Sequence, residues 1–261
     1  MLQAVNYVKP LSGWSTPHLM ECSDGNLYVV KLTSNPQGIR VLVNEMICFR
    51  LAKRLNLPVP DGQVVYIDES LRSRSLSLGI DLGRGPHYGS RYVPDSTNFP
   101  TDEELGSCHN IAQAADIIAF DHWLDNNDRH LWREDGQNIL VSRGANPQLW
   151  MIDNANIFNG PNWTVKNVMN SLSVQHEFWG PLYAKFAPHL QNPDPFGQAI
   201  ARINALTAQD FHQITADLPV LWGVTDGELA TLAFALEIRR NSLVPRLHTL
   251  QEKYLLPGLG I

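Results

Sequence analysis

The segment FDHWLDNNDRH, residues 120–130, is followed by NILV at residues 138–141 and LWMIDNANIF at residues 149–158. The first segment ends an apolar stretch with helical period and then places two amides, an acid, a guanidinium and an imidazole side by side. The other two are β-type runs joined by the turn-like RGANPQ, so they predict a β-hairpin. A solvated turn would account for NNDRH alone, but the acids around the hairpin favour a site.

The chain upstream of this segment predicts strands around one long helix. LYVVKL and GQVVYI are short β-branched runs, whereas GIRVLVNEMICFRLAKRLNLPVP has helical period and stops at Pro58. In that helix Leu42, Glu45 and Phe49 share one face by their spacing. Glu45 is therefore an acid that faces inward.

The rest of the chain predicts a second, mostly helical part. A stretch rich in Ser, Gly and Pro at residues 68–105 separates the two parts, and helical patterns dominate again from about Val174. Thr207 and Thr225 each precede an acid by three residues, which is typical of capping boxes. We expect an α+β, two-lobed protein-kinase-like fold, with a β-rich N-lobe at residues 1–93 and a helical C-lobe at residues 94–261.

Composition excludes several classes of function. A net charge of −6 and a pI near 5.8 give no electrostatic footprint for nucleic acid or for an anionic membrane. The absence of a leader and of an apolar run long enough to cross a bilayer argues against secretion and membrane insertion. Three widely spaced cysteines suggest neither a disulfide framework nor a zinc site. We expect a cytoplasmic protein.

Two charged residues in the first part fit the needs of phosphoryl transfer. Lys31 ends the strand LYVVK, and the inward Glu45 follows on the helix, so the two can form an ion pair that aims the ammonium at nucleotide phosphates. An exposed strand-end lysine and an amphipathic-helix acid would leave the same pattern. Upstream, LSGWSTPHLMECSDG offers Gly13 and Ser15 in a small-residue turn, which could place backbone donors over phosphates or be an ordinary hairpin turn.

Three further residues supply the oxygen atoms that such a reaction requires. Asp128 fits the carboxylate that accepts or orients a hydroxyl proton. Asn138 and Asp153 fit ligands of Mg²⁺, which prefers oxygen. The order helix, DRH, N, strand, strand, ID is shared by protein kinases and phosphoinositide kinases, and it is the most specific pattern in the chain.

These segments together resemble the HipA-like kinase domains, the smaller bacterial relatives of the HipA toxin. The likeness covers most of the chain, from LSGWSTPHLMECSDGNLYVVK through GSRYVP and FDHWLDNNDRH to LWMIDNANIF. It implies binding of ATP and Mg²⁺ and transfer of the γ-phosphate to a hydroxyl acceptor, with a protein serine or threonine as the favoured acceptor.

The resemblance also implies roles for individual residues. Asp128 would be the catalytic carboxylate, and Asn138 and Asp153 would ligate magnesium. Lys31 would contact the nucleotide phosphates, and Glu45 would orient Lys31. The residues implied in ATP binding are Gly13, Ser15, Lys31, Glu45, Tyr92 and Val93, the last two through backbone hydrogen bonds to adenine.

The neighbours of Asp128 have less specific roles. Arg129 is interpreted as bracing the loop through a buried carboxylate. His130 is interpreted as a packed polar residue, with assistance to the phosphate as the alternative. Trp123 and Trp132 are interpreted as packing anchors.

Two features depart from the family pattern. Asp128 and Asn138 lie ten positions apart, with LWREDG between them, whereas the asparagine follows the aspartate more closely in the HipA toxin and the lipid kinases. IDNAN replaces the DFG of many kinases, although Asp153 is retained. The additional N-terminal region of the toxin is missing as well, which argues against toxin action and an antitoxin partner, although the sequence leaves the toxin or non-toxin role open.

Three alternatives remain open at this point. The acceptor could be a small molecule. A long insert after Asp128 could make the chain a pseudokinase that binds nucleotide or a partner protein without transferring phosphate. His122 and His130 beside several acids could belong to a metal-dependent hydrolase, although they lack an HExxH spacing.

Overall fold

The computed structural model describes residues 1–131, 137–174 and 176–256, and it shows an α+β protein. Its strands are β1 Leu2–Pro10, β2 His18–Cys22, β3 Leu27–Lys31, β4 Gly62–Ile67, β5 Gly85–Arg91, β6 Ser96–Thr97, β7 Ile139–Ser142 and β8 Gln148–Met151. Its α-helices are α1 Arg40–Arg54, α2 Glu69–Leu76, α3 Asp102–Ser107, α4 Ala114–Leu124, α5 Val165–Ser171, α6 Pro181–Phe186, α7 Gly197–Asn204, α8 Ala208–Thr215, α9 Asp226–Asn241 and α10 Leu243–Leu250. None of the described helices combines the length and apolar character that crossing a bilayer needs.

The first five strands close into a small barrel in the order β1, β2, β3, β5, β4. Neighbouring strands run antiparallel except at the closure, where β1 and β4 pair in parallel with Leu2 opposite Val65. The predicted strands LYVVKL and GQVVYI are confirmed as β3 and β4. The barrel encloses its own apolar cluster, which includes Met20 and Val30.

Strand β5 lacks the residue types that predict a strand, and the barrel explains why. A Cβ atom added at Gly89 would lie 2.5 Å from the Cγ2 atom of Val65 on β4. Only a residue without a side chain lets the two strands approach this closely. The glycine that weakens the sequence signal is thus the residue that the barrel requires.

Helix α1 packs against both the barrel and the helical part of the chain. The predicted helix is confirmed, although it ends at Arg54 rather than at Pro58. Glu45 lies on its buried face, as expected. On another face the Arg50 guanidinium donates to the Ile214 carbonyl oxygen over 2.9 Å, and Arg40 forms an ion pair with Glu228 of α9.

Helix α2 lies within the stretch that the sequence predicts to be irregular. The Asp68 carboxylate accepts a hydrogen bond of 2.8 Å from the Leu71 backbone N–H and so caps its N-terminus. Only Leu71 and Ser75 of this helix are buried, so there is almost no apolar stripe from which to recognise it.

The predicted hairpin is confirmed as β7 and β8, and β6 is added at its edge. Helix α4 is buried almost throughout and delivers the chain to NNDRH. The helix ends at Leu124, and the next residue, Asp125, caps it in a left-handed conformation with φ of 58°. The capping boxes at Thr207 and Thr225 are both present. The polar segment therefore lies between a helix end and a hairpin.

Gly89→Ala should destabilise the barrel, because the added methyl group forces β5 away from Val65. We expect the free energy of unfolding to fall by about 1–3 kcal/mol, measured by urea denaturation. Gly227→Ala on α9 is the matched control, since a Cβ atom there meets open space and should leave stability equal or slightly higher. Equal stability of Gly89→Ala and the wild type would contradict this account of β5.

Candidate active site

Two cavities adjoin between the barrel and the hairpin. The first, here called the lysine cavity, has a volume of about 360 Å³ and contains every residue that the sequence assigns to ATP: Gly13, Ser15, Lys31, Glu45, Tyr92 and Val93. The second, here called the amide cavity, has a volume of about 560 Å³ and is lined by Asp128, Asn138 and Asn156 among others. Asp153 lines both cavities, so the residues predicted from separate segments meet at one place.

Lys31 lies at the centre of a buried ionic cluster. It ends β3, and its Nζ atom donates to Glu45 Oε1 and, over 2.9 Å, to Asp153 Oδ1. The Asn154 backbone N–H donates to the same Glu45 oxygen over 3.1 Å. Strand β3, helix α1 and the end of the hairpin are therefore held together by one ammonium group.

Each ionisable group of this cluster shifts the pKa values of the other two. Desolvation opposes the charge of Lys31, but the carboxylates of Asp153 and Glu45 raise the pKa of Lys31 above its ordinary value. Desolvation likewise opposes the charge of Asp153, yet the Lys31 ammonium keeps the pKa of that carboxyl below its usual range. Burial raises the pKa of Glu45, against the opposing effect of Lys31. Lys31 therefore presents a fixed positive charge beside Asp153.

The turn between β1 and β2 covers the lysine cavity. It is closed by a hydrogen bond of 2.8 Å from the Leu11 N–H to the Pro17 carbonyl oxygen and by one of 3.0 Å from the Thr16 N–H to the Gly13 carbonyl oxygen. Gly13 has a φ of 137°, a conformation that favours glycine. Ser15, which belongs to the same turn, is buried.

The connector after β5 borders the opposite side of the lysine cavity. The Tyr92 N–H already donates to the Leu27 carbonyl oxygen over 2.8 Å. The Val93 carbonyl oxygen accepts a hydrogen bond of 2.8 Å from the Ser96 hydroxyl group. Both residues line the cavity, but these two backbone groups are already hydrogen-bonded to other groups of the protein.

Asp128 is oriented by two asparagines. Its Oδ2 atom accepts hydrogen bonds from the side-chain amides of Asn138 and Asn156, each over 2.8 Å. The ten-residue separation in sequence therefore leaves Asp128 and Asn138 in direct contact. Asn156 was not among the site residues predicted from the sequence. In sequence it is one of two asparagines in IDNAN, three positions after Asp153, and this position alone does not mark it as a contact of Asp128.

Arg129 does contact a buried carboxylate, as the sequence predicts. Its Nε atom donates to Asp121 Oδ2 over 2.9 Å, and both side chains are fully buried. Its Nη1 atom donates to the Asn138 and Ile152 carbonyl oxygens, and its Nη2 atom donates to Asn154 Oδ1 over 2.6 Å. One guanidinium group thus joins α4, the start of β7 and the end of β8.

The Asp121 carboxylate has further hydrogen-bond donors. The hydroxyl group of Tyr183 donates over 2.8 Å, and the side-chain amide of Asn126 donates over 3.0 Å. Burial nevertheless raises the pKa of Asp121, although Arg129 and these donors act in the opposite direction. The carboxyl group thus depends on its partners for its charge.

The two histidines near Asp128 pack against aromatic rings. The rings of His122 and His130 stack on Phe178 at centroid distances of 4.1 Å and 5.0 Å. Burial lowers the pKa of His122 to about 4 and also lowers that of His130. Within the described ranges, no group of three His, Cys, Asp or Glu side chains is placed to hold a metal ion. The hydrolase hypothesis therefore finds no metal site among the described residues.

Of the two tryptophans predicted to be packing anchors, only Trp123 lies within the described residues. Trp123 is buried, and its indole N–H donates to the Leu236 carbonyl oxygen over 2.9 Å, so it anchors α4 to α9. Trp132 lies outside the described residues, as does the insert at residues 132–136.

The oxygen atoms around Asp153 suit a hard divalent cation. Asn138 uses its amide nitrogen on Asp128, and no described residue donates to its Oδ1 atom. Asp153 receives Lys31 on Oδ1, and no described residue donates to its Oδ2 atom, while its side chain remains 35% exposed. Both side chains line the amide cavity, so the residues that could hold a divalent cation border the same space.

The α+β fold and the buried Lys31–Glu45 pair agree with the kinase-like fold expected from the sequence. The chain belongs to the HipA-like kinase family, whose sequence profile matches residues 8–249. No curated protein sequence matches it significantly.

Solved structures show the same fold. The Helicobacter pylori proinflammatory kinase CtkA gives a TM-score of 0.60 at 13% identity, over 96% of this chain and 99% of that chain. The golgi casein kinase gives a TM-score of 0.57 at 10% identity, over 98% of this chain and 76% of that chain. Likeness at such identities shows the fold alone.

Arg129→Leu should destabilise the protein strongly, because it leaves Asp121 buried without its guanidinium partner. We expect a loss of about 3–5 kcal/mol in the free energy of unfolding, measured by urea denaturation. The matched control is Arg143→Leu, which removes an exposed ion pair with Glu104 and should cost at most about 1 kcal/mol.

The loss should also depend on pH. Without Arg129, burial raises the pKa of Asp121 further above its unfolded value, so the folded state retains a proton that the unfolded state releases. The deficit of Arg129→Leu should therefore be smaller at about pH 5 than at about pH 8. A deficit that is independent of pH would contradict the assignment of the buried charge.

Proposed function

We propose that this chain is an ATP- and Mg²⁺-dependent phosphotransferase that moves the γ-phosphate of ATP to a hydroxyl group, with a protein serine or threonine as the favoured acceptor. Membership of the HipA-like kinase family supports kinase activity. The observation that carries the proposal is the meeting of the lysine cavity and the amide cavity at Asp153. A nucleotide in the first cavity would direct its terminal phosphate towards Asp128 in the second.

The proposal treats residues 1–93 and 94–261 as the two lobes around the nucleotide. Lys31 would neutralise phosphate charge, and Glu45 would keep the ammonium aimed into the lysine cavity. The turn containing Gly13 and Ser15 would cover the phosphates. Adenine would lie against Tyr92 and Val93 and would use backbone groups other than the two already bonded within the protein.

The acceptor would be activated from the amide cavity. Its hydroxyl oxygen attacks the γ-phosphorus, the bond from that phosphorus to the bridging oxygen of ADP breaks, and the hydroxyl proton passes to the Asp128 carboxylate. Asn138 and Asn156 fix that carboxylate in one orientation. Mg²⁺, held by Asn138 Oδ1 and Asp153, would supply neutralisation of the charge on the transferred group.

The structure weakens the reason for the pseudokinase alternative. That alternative rests on the long separation of Asp128 and Asn138 in sequence, yet the two side chains are in hydrogen-bond contact. A small-molecule acceptor stays within the proposed class, because the nucleotide half of the site would be the same for either acceptor.

Asp128→Asn should slow transfer strongly while retaining nucleotide affinity, because the amide has the same shape but cannot take the proton. We expect the rate of γ-phosphate transfer from labelled ATP to fall by roughly 10²–10⁴-fold. Asp61→Asn, the same substitution at an exposed acid paired with Lys53, is the control and should retain the wild-type rate. Transfer at the wild-type rate by Asp128→Asn would exclude the proposed role of Asp128.

Asp153→Asn should remove the enhancement of nucleotide binding by Mg²⁺, because the ion loses its charged ligand. Calorimetric titration of the wild type with ATP should show tighter binding with Mg²⁺ than with a chelator. In the variant we expect this difference to shrink by roughly tenfold or more. An unchanged Mg²⁺ effect would place the metal elsewhere.

A further inference from the structure

The segment at residues 153–160, here called the exit loop, follows the hairpin and carries two side chains of the candidate site. Asp153 lines both cavities, and the side-chain amide of Asn156 donates to Asp128 over 2.8 Å. Three non-glycine residues of the loop have a left-handed backbone with φ between 51° and 73°: Asp153, Phe158 and Asn159. Such a backbone costs free energy at most residues other than glycine, so the conformation of the exit loop depends on contacts with the rest of the protein.

One buried side chain of α1, Asn44, supplies several of these contacts. Its Nδ2 atom donates to the Ala155 carbonyl oxygen over 2.7 Å and to those of Ile157 and Gly160 over 3.3 Å and 3.4 Å. Its Oδ1 atom accepts a hydrogen bond of 2.8 Å from the indole N–H of Trp163. Because carbonyl oxygens only accept and an indole only donates, the carboxamide satisfies both sides in a single orientation.

Asn44 directly precedes Glu45, and the two side chains hold successive residues of the exit loop. Glu45 Oε1 accepts hydrogen bonds from Lys31 and, over 3.1 Å, from the Asn154 N–H. Asn44 binds the carbonyl oxygen of the residue after Asn154. Neighbouring residues of one helix therefore hold the backbone that continues from Asp153. Since the same helix aligns Lys31, the lysine and the exit loop share one support.

A buried asparagine can also be an ordinary part of a core, and Asn110 provides the comparison. Its amide group donates to the Leu149 carbonyl oxygen over 2.9 Å and accepts from the Leu149 N–H over 2.8 Å. Both asparagines are buried, and neither lines the lysine cavity or the amide cavity. They differ in what they hold, because Asn110 binds β8 whereas Asn44 binds the exit loop. Asn110 is thus a matched control for a purely structural role.

We propose that Asn44 is a positioning residue of the phosphotransferase: it fixes the exit loop on α1, so that Asp153 and Asn156 lie in place when Lys31 is aligned. This inference rests on the proposed function, because the groups that it positions are the proposed metal ligand and a donor to the proposed catalytic acid. Asn44 acts through the backbone of the exit loop and lines neither cavity. Its loss should weaken the metal site without removing any ligand.

The test replaces Asn44 with leucine, which has nearly the same shape but neither donates nor accepts a hydrogen bond. Calorimetric titration with ATP should show tighter binding by the wild type with Mg²⁺ than with a chelator. We expect Asn44→Leu to reduce this Mg²⁺ effect by roughly tenfold. Binding in the chelator should stay unchanged, because no side chain of the lysine cavity is altered. Asn110→Leu should retain the full Mg²⁺ effect.

Hydrogen exchange provides a readout that needs neither nucleotide nor metal. Mass spectrometry should show faster amide exchange at residues 153–160 in Asn44→Leu than in the wild type, because local opening of the exit loop costs less free energy. In Asn110→Leu the faster exchange should lie instead at residues 108–113 and 148–151.

A milder pair of variants covers the case in which Asn44→Leu fails to fold. Trp163→Phe removes the indole donor but leaves the carbonyl partners of Asn44, so it should change both readouts in the same direction and to a smaller extent. Trp222→Phe is its control, since it removes a bond of 3.0 Å from a buried indole to the Pro86 carbonyl oxygen. It should change neither the Mg²⁺ effect nor exchange at residues 153–160.

The outcomes separate this inference from the function on which it rests. An undiminished Mg²⁺ effect in Asn44→Leu, an equal loss in Asn110→Leu, or unchanged exchange at residues 153–160 would overturn the inference. If Asp153→Asn loses the Mg²⁺ effect and Asn44→Leu retains it, the phosphotransferase stands and the positioning role is wrong. If the wild type shows no Mg²⁺ effect at all, the proposed function is wrong and the positioning role falls with it.

Discussion

The buried ion pair between Arg129 and Asp121 is the contact on which the arrangement of the active site depends. Two charges removed from water cost free energy unless their remaining hydrogen-bonding groups are satisfied. Here the guanidinium satisfies them by bonding the Asn138 and Ile152 carbonyl oxygens and the Asn154 side chain. The planar fork of arginine fixes the directions of these bonds, which a lysine could not do. The loop that carries the proposed catalytic acid is thereby tied to the hairpin that carries the proposed metal ligands.

Several parts of this arrangement could be predicted from the sequence because they rest on local patterns. The period of α1 placed Glu45 on the buried face, and the β-branched runs gave β3 and the hairpin. Lys31 and Asp153 lie at the ends of such elements, so their positions followed from those of the strands. What the sequence could not supply was the distance between them, because that distance depends on how the barrel and the hairpin pack.

Other parts left no local pattern. Strand β5 contains Gly89 because of a close approach to Val65, a constraint that arises only once the barrel has closed. Helix α2 buries too few residues to show a stripe. Asn156 was missed for a related reason: its contact with Asp128 spans 28 positions, and nothing in the composition of IDNAN distinguishes a hydrogen-bond donor from a turn residue. Tertiary contact decides β5 and the role of Asn156, whereas α2 rests on the local cap that Asp68 provides.

The contacts that anchor α1 to the helical part of the chain have a consequence for the conformational ensemble. Swinging α1 away from β3 would break the bonds from Arg50 to the Ile214 carbonyl oxygen and from Arg40 to Glu228, together with the Lys31–Glu45 pair. Because several contacts would be lost at once, such an outward conformer would be disfavoured. A nucleotide bound as proposed would then meet a lysine that is already aligned, and little of its binding free energy would be consumed in reorganising the protein.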